Sequence, residues 1–284
     1  MEIRAVELYE QFDIKKPENA RCTLTCYITH TSEKVSACRR KPAVLILPGG
    51  GYGHVSPREG EPVALRFAAR KYAVFVLEYS CAPCAFPVPL REAAMAMRYI
   101  RENASEFEVN PKMVAAMGFS AGGHLCGMLG TMFDSPEVAD IAAAEQLRPD
   151  ALGLCYPVAV SWGNTHEGSF CNLCGGDLQL RERLSLDKLV RPDMMPVFLW
   201  HTRDDGSVPC RNSVLLAAAL EEAGVDFAFH LYRRGVHGLS TADAMAYPAH
   251  GIPDVSRNVP GWIDEMMEFW QEIGFAIRDL EEQE

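Results

Sequence analysis

The sequence predicts an α/β fold, with a mostly parallel central sheet, helices on both faces and a small lid or none. Three observations carry that prediction. Residues 43–47, 73–77 and 113–117 are short, continuous apolar runs, as expected of strands covered on both faces. Each is followed by a segment with helical spacing, and alternation of this kind implies right-handed crossovers between parallel strands. The third run empties into Gly118-Phe119-Ser120-Ala121-Gly122, a Gly-x-Ser-x-Gly set between strand and helix.

The remaining elements follow in order. Residues 22–30 alternate well enough for an antiparallel edge strand, paired with part of residues 3–13. The run 43–47 opens into Pro48-Gly49-Gly50-Gly51-Tyr52-Gly53-His54, whose glycines leave backbone N–H groups free to approach a ligand. Glu61-Pro62-Val63 starts a helix with proline in its first turn, continuing toward Arg70. Residues 81–89 contain three prolines and read as loop; residues 90–102 return to helical spacing. Asn110-Pro111 reads as the turn into the strand 113–117, and residues 125–132 as the helix that follows the serine. Strands are expected at 151–156 and 196–201, and the stretch 157–195 between them is the space for a small lid, with Trp162, His166 and Phe170 expected at the pocket. Residues 212–223 form a helix stopped by Gly224, 226–232 a strand, and 260–273 a helix whose apolar stripe packs on the sheet. Residues 281–284 read as a frayed acidic end.

Composition narrows the function classes. With 284 residues, 48% of them hydrophobic, the chain can bury a full core, and no composition break divides it, so residues 1–284 are expected to be a single domain. A net charge of −11 and a pI near 5.3 argue against a nucleic-acid partner. No basic segment followed by an apolar core opens the chain, and no run reaches the length of a membrane span, so a cytoplasmic location without a membrane partner is expected. Ten cysteines then read as free thiols. Cys81-x-x-Cys84 and Cys171-x-x-Cys174 look like halves of a zinc site, but they lie far apart in stretches that read as loop; no metal and no cofactor are expected.

The serine points to chemistry. A serine on a tight strand-to-helix turn is pushed out of the sheet, and only small neighbours let strand and helix pass so closely. Its hydroxyl is a poor nucleophile at neutral pH, so a base must take its proton and an acid must orient the base. In chain order the partners should follow as serine, acid, histidine. Asp204 and Asp205 come directly after the strand ending at His201, and the residues themselves leave the choice between them open. Of the histidines, His230, His237 and His250 come after that acid; His230 falls within a strand, whereas His237 sits in Arg234-Gly235-Val236-His237-Gly238, a loop free to aim at Ser120. His124, on the helix after the serine, cannot satisfy the order. Backbone N–H groups of Ala121, Gly50 and Gly51 are the expected oxyanion donors.

Five stretches together resemble the α/β-hydrolase carboxylesterases, and within them bacterial acetylesterases and acetylxylan esterases. They are Leu47-Pro48-Gly49-Gly50-Gly51-Tyr52, the run from Ser56-Pro57-Arg58-Glu59 to Pro62, the Gly118-to-His124 elbow, His201-Thr202-Arg203-Asp204-Asp205-Gly206-Ser207-Val208-Pro209 and Gly235-Val236-His237-Gly238. The resemblance spans about residues 40–270. It implies Asp205 as the acid, because the family's acid precedes x-x-Val-Pro, and Tyr52 as a substrate contact. Pro48 stands where hormone-sensitive-lipase-like esterases carry histidine, and Phe119 where they often carry aspartate, which leaves the sugar-esterase branch ahead. What the resemblance implies is a serine carboxylesterase acting on short, acetyl esters of sugars or xylo-oligosaccharides, with an acetylated carbohydrate as its small-molecule partner. A serine peptidase of the same fold would use the same three residues; a non-catalytic binding protein of this fold would typically lack one.

Overall fold

The computed structural model describes residues 1–30, 40–247, 251 and 253–275. Among them eight strands form one sheet: β1 (Glu2–Glu7), β2 (Thr23–Ile28), β3 (Lys41–Leu47), β4 (Ala73–Glu78), β5 (Val109–Phe119), β6 (Leu152–Cys155), β7 (Val197–Thr202) and β8 (Phe227–Tyr232). Their order across the sheet is β1-β2-β4-β3-β5-β6-β7-β8. The pairs β1–β2 and β2–β4 are antiparallel and the others parallel.

The pleat sends alternate side chains to opposite faces, so an all-apolar strand feeds two cores. In β3, Leu45 and Leu47 join one core while Val44 and Ile46 join the other. Ten helices cover the sheet: α1 (Leu8–Gln11), α2 (Glu61–Ala68), α3 (Val88–Glu102), α4 (Ala121–Met132), α5 (Ala144–Leu147), α6 (Glu167–Cys174), α7 (Leu178–Arg183), α8 (Leu186–Leu189), α9 (Arg211–Glu222) and α10 (Trp262–Glu272), as counted among the described residues. On one face α3, α4 and α9 pack Leu90, Met97, Leu125, Leu129 and Leu216; on the other, α2 and α10 pack Val63, Phe67, Trp262, Met266 and Trp270. Each fully buried Leu, Phe or Met contributes roughly 1.5–3 kcal/mol of transfer free energy. The Trp262 stripe is therefore core, as its helical spacing predicts.

Several boundaries differ from the sequence reading. The edge strand is β1, and β2 lies inside it, paired on both sides. Helix α3 begins at Val88 and takes Pro89 into its first turn, where a missing N–H costs nothing. Asn110-Pro111 does not precede the strand but interrupts it: β5 starts at Val109, and the pairing with β3 jumps from Lys41–Val109 to Ala43–Val114. Proline cannot donate to the ladder, so it sits in the irregular stretch. Residues 157–195 carry α6, α7 and α8, and Cys171 and Cys174 lie on α6 instead of in a loop. Both His250 and residues 281–284 lie outside the described residues. No helix among the described residues is long and apolar enough to cross a membrane.

Candidate active site

Strand β5 ends at Phe119 and α4 begins at Ala121, leaving Ser120 alone on the turn with φ 53° and ψ −119°. A non-glycine residue held in such a conformation costs on the order of 1–3 kcal/mol, so the surroundings must fix it. They do so through Ser120 N–H to Cys155 O at 3.0 Å, and through the Ser120 carbonyl, which accepts from His124 N at 3.1 Å and Val158 N at 3.0 Å. The flanking glycines are required by contact. A Cβ on Gly118 would stand 2.1 Å from Gly122 O, and one on Gly122 would stand 2.1 Å from Leu47 O.

The loops after β7 and β8 bring Asp205 and His237 to this serine. His237 Nε2 lies 2.7 Å from Ser120 Oγ, and His237 Nδ1 lies 2.6 Å from Asp205 Oδ2. With Nδ1–H donated to the carboxylate, neutral His237 presents Nε2 as acceptor to the serine hydroxyl. Asp205 is well supplied with donors. Its Oδ1 accepts from Ser207 N and Val208 N, both at 2.9 Å. His201, fully buried, shares its Nε2–H between Val208 O at 2.9 Å and Asp205 Oδ2 at 3.3 Å. Burial would raise the Asp205 carboxyl, but the hydrogen bonds from His201, His237 and the Val208 N–H outweigh it and hold the group far below the ordinary carboxylate range. Asp204 points elsewhere, is exposed and, among the described residues, pairs with Arg203 at 3.3 Å. His230 likewise stays away from the site, 3.1 Å from Glu265 and packed on Phe198.

The glycine loop closes the opposite side. Gly50 (φ 126°) and Gly51 (φ 64°) adopt conformations that favour glycine, and both line a cavity of about 340 Å³ together with Ser120, His166 and His237. The neighbouring Gly49 N–H is already taken, donating to Glu59 Oε2 at 2.8 Å. Ala121 is the first residue of α4, where a backbone N–H has no partner within the helix.

Tyr52 requires a correction. Its backbone turns at φ 55° and its ring goes under the loop, 1% exposed, so the side chain cannot meet a substrate in this cavity. Tyr52 Oη instead donates to His124 Nδ1 at 2.9 Å, while His124 Nε2–H donates to Leu184 O at 2.8 Å. Burial pushes the His124 imidazole down to about 4, so it stands neutral beneath the site. Of the three residues expected at the pocket from 157–195, only His166 lines it. Phe170 is buried against His124, and Trp162 is exposed, its Nε1–H donated to Asp187. His166 Nδ1 accepts from Ser169 N at 3.2 Å, capping α6, which leaves the neutral ring's proton on Nε2. Burial first and nearby His237 second push this imidazole downward, favouring that neutral form.

Glu59, named above only within a stretch that carries the resemblance, takes a part that the sequence did not assign it. It is 3% exposed and lines the cavity. Besides Gly49, it accepts from Tyr156 Oη at 2.7 Å, and Tyr156 Oη in turn accepts from Ser240 N at 2.9 Å. The Tyr156 ring packs edge-on against His237, centroids 5.2 Å apart. Ser240 Oγ also donates to Arg58 O at 2.6 Å. One buried carboxylate thus ties the glycine loop to the histidine loop. Burial pushes the Glu59 carboxyl upward, against the pull of Tyr156 and the Gly49 N–H. Its signal in the sequence was its place in the run from Ser56 to Pro62, which carries the resemblance without assigning it a role.

Comparisons with known proteins match both halves of this arrangement. A family model described as BD-FAE matches residues 32–148, and that of the prolyl oligopeptidase family matches residues 95–269. Endo-1,4-beta-xylanase B of Butyrivibrio fibrisolvens is 39% identical over 215 residues, covering 72% of this chain and 33% of that protein. The acetylxylan esterase of Xylanibacter ruminicola is 27% identical over 256 residues, covering 87% of this chain and 50% of that protein. The chain thus spans a third to a half of the length of these curated relatives. Among solved structures, an acetyl ester-xyloside bifunctional hydrolase from Caldicellulosiruptor lactoaceticus is 34% identical with a TM-score of 0.83, covering 96% of this chain and 97% of that one. A carboxylesterase from Lactobacillus plantarum is 25% identical with a TM-score of 0.81, covering 97% and 98%.

Proposed function

The chain belongs to the α/β-hydrolase carboxylesterase family, within the reach of the prolyl oligopeptidase family model, and from that premise we propose that it is a serine esterase removing acetyl groups from sugars or xylo-oligosaccharides. The observation that carries the reaction type is the unbroken relay from Asp205 through His237 to Ser120. In the proposed reaction Ser120 Oγ attacks the ester carbonyl as His237 Nε2 takes its proton. Asp205 stabilises the imidazolium that results, and the N–H groups of Ala121, Gly50 and Gly51 receive the oxyanion. His237 then protonates the leaving sugar alkoxide, and water, activated by the same histidine, releases acetate from the acyl-enzyme.

The cavity supports the substrate class. It is lined by glycine, serine, histidine, arginine and glutamate, with no aliphatic side chain among the described residues that form it. A long acyl chain would find no apolar wall there, while each fitted methylene would contribute roughly 0.8 kcal/mol. The acetylxylan esterase and acetyl ester-xyloside hydrolase among its relatives fit the same reading. Nine free cysteines among the described residues suit a reducing compartment, and we place the enzyme in the cytoplasm on that ground.

The test is a panel of p-nitrophenyl acetate, butyrate and octanoate, acetylated xylo-oligosaccharides and a peptide p-nitroanilide. Activity should fall along the acyl series, acetate should be released from the sugars, and the anilide should be left intact. Preference for octanoate, or acetylated sugars left untouched while aryl acetates are cleaved, would overturn the carbohydrate reading. Rapid anilide cleavage would favour a peptidase, the use to which this fold's prolyl oligopeptidase members put the same residues.

A further inference from the structure

The glycine loop separates the cavity over Ser120 from a second cavity, of about 490 Å³, and His54 lines both. The imidazole stands close to the proposed oxyanion loop, its Cδ2 3.2 Å from where a Cβ on Gly50 would be. The second cavity is walled by three segments, which bring Asn19 and Arg21, then His54, then Glu78 and Tyr79 to its lining. Its volume falls within the roughly 300–1,000 Å³ usual for small-molecule sites.

The walls are held from behind. Arg21 N donates to Ser80 Oγ at 2.9 Å, and Ser80 N donates to the buried carboxylate of Glu92 at 2.6 Å. Cys84 Sγ donates to Glu18 O at 3.6 Å, and Ala82 N donates to Tyr52 O at 2.7 Å, which fastens the third wall to the glycine loop. The lining side chains of Asn19, Arg21, His54 and Glu78, in contrast, make no hydrogen bond to any other described residue. These four side chains are exposed, so on a backbone fixed from behind their donors and acceptors stand open to a ligand. Its chemistry selects the ligand. A guanidinium and a carboxylate cancel in charge, and amide, imidazole, donor and acceptor are all present, so the lining fits a neutral, hydroxyl-rich molecule better than an anion or an acyl chain.

We propose that this second cavity binds a neutral sugar unit of the substrate's alcohol part, adjacent to the acetylated unit at Ser120, and so selects acetylated oligosaccharides over acetylated monosaccharides. The inference rests on the sugar-esterase reading, and its test is arranged to fail separately. Unacetylated xylotriose is titrated calorimetrically into the wild type, Arg21→Ala and Glu78→Ala, and p-nitrophenyl acetate, which needs only the space over Ser120, is assayed with all three. Xylotriose should bind the wild type and bind each variant at least about tenfold more weakly, as loss of a charged hydrogen-bond partner implies. The kcat/KM for p-nitrophenyl acetate should stay within about twofold. Absence of xylotriose binding to the wild type, equal binding by all three proteins, or loss of p-nitrophenyl acetate activity in step with xylotriose affinity would each overturn the subsite. Acetate release from acetylated xylose judges the sugar-esterase reading independently of these outcomes.

Discussion

Ser120, on a backbone turn at φ 53°, holds its hydroxyl 2.7 Å from His237 Nε2, and the histidine is aimed in turn by Asp205. If Asp205 serves only to orient and stabilise that imidazole, Asp205→Asn should leave the fold intact and lower kcat by about 10⁴-fold, as loss of a triad acid does elsewhere. Asp204→Asn should change kcat by no more than about twofold, since its carboxylate faces solvent and Arg203; the reverse ranking in steady-state kinetics would reassign the acid. Glu59 acts one step further out, holding the Gly49 N–H and, through Tyr156, the loop that carries His237. An amide keeps one acceptor but cannot accept from both partners. Glu59→Gln should therefore lower kcat by up to about a hundredfold with little change in KM, the scale of loss that follows a small misplacement of reacting groups. A pure KM effect would instead make Glu59 a substrate contact. Ser120, Asp205 and His237 were legible in the sequence; the bonds that Glu59 makes were not. The acid's identity came from a motif, while the partners that stabilise it, His201, Ser207 and Val208, meet only when the loop after β7 closes on itself.

Elements whose burial is uniform along their length were the legible ones. Strands β3, β4 and β7 declare themselves by the apolar runs 43–47, 73–77 and 197–200 within them, and α10 by Trp262, Met266 and Trp270 on one stripe. Where prolines punctuate the chain the reading slipped, because Pro89 and Pro111 break local hydrogen bonding without ending the element that contains them. Helix α3 also hides a titrating group. Glu92 is fully buried, and burial pushes its carboxyl up to about 7 although Ser80 and Tyr9 donate to it. The folded value lies above the unfolded one, so between the ordinary glutamate range and about 7 the folded state holds the extra proton. Stability from this group is then fully present below that window, declines as pH rises through it and is flat above. Glu92→Gln keeps a neutral side chain of the same shape. The difference in urea midpoint between wild type and variant should shift in favour of the variant from pH 5 to pH 8; a difference independent of pH would show that Glu92 stays ionised throughout.

At the scale of the molecule, the parallel sheet gathers the loops after β3, β5, β7 and β8 at one edge, which is why residues as distant in sequence as Gly50, Ser120, Asp205 and His237 share one small region. That gathering was legible from strand order and motif spacing. The cavity beyond His54 was not, because its walls come from residues 19–21 and 78–83, which are joined by hydrogen bonds that follow from no periodicity. One serine on this edge is proposed to perform the chemistry on acetyl esters. Acetate release from acetylated xylo-oligosaccharides by the wild type and by Ser120→Ala, each with its fold checked by circular dichroism, tests it most directly. The wild type should release acetate and the variant should lose activity on the order of a million-fold; a folded variant that still releases acetate at a comparable rate would remove Ser120 from the chemistry.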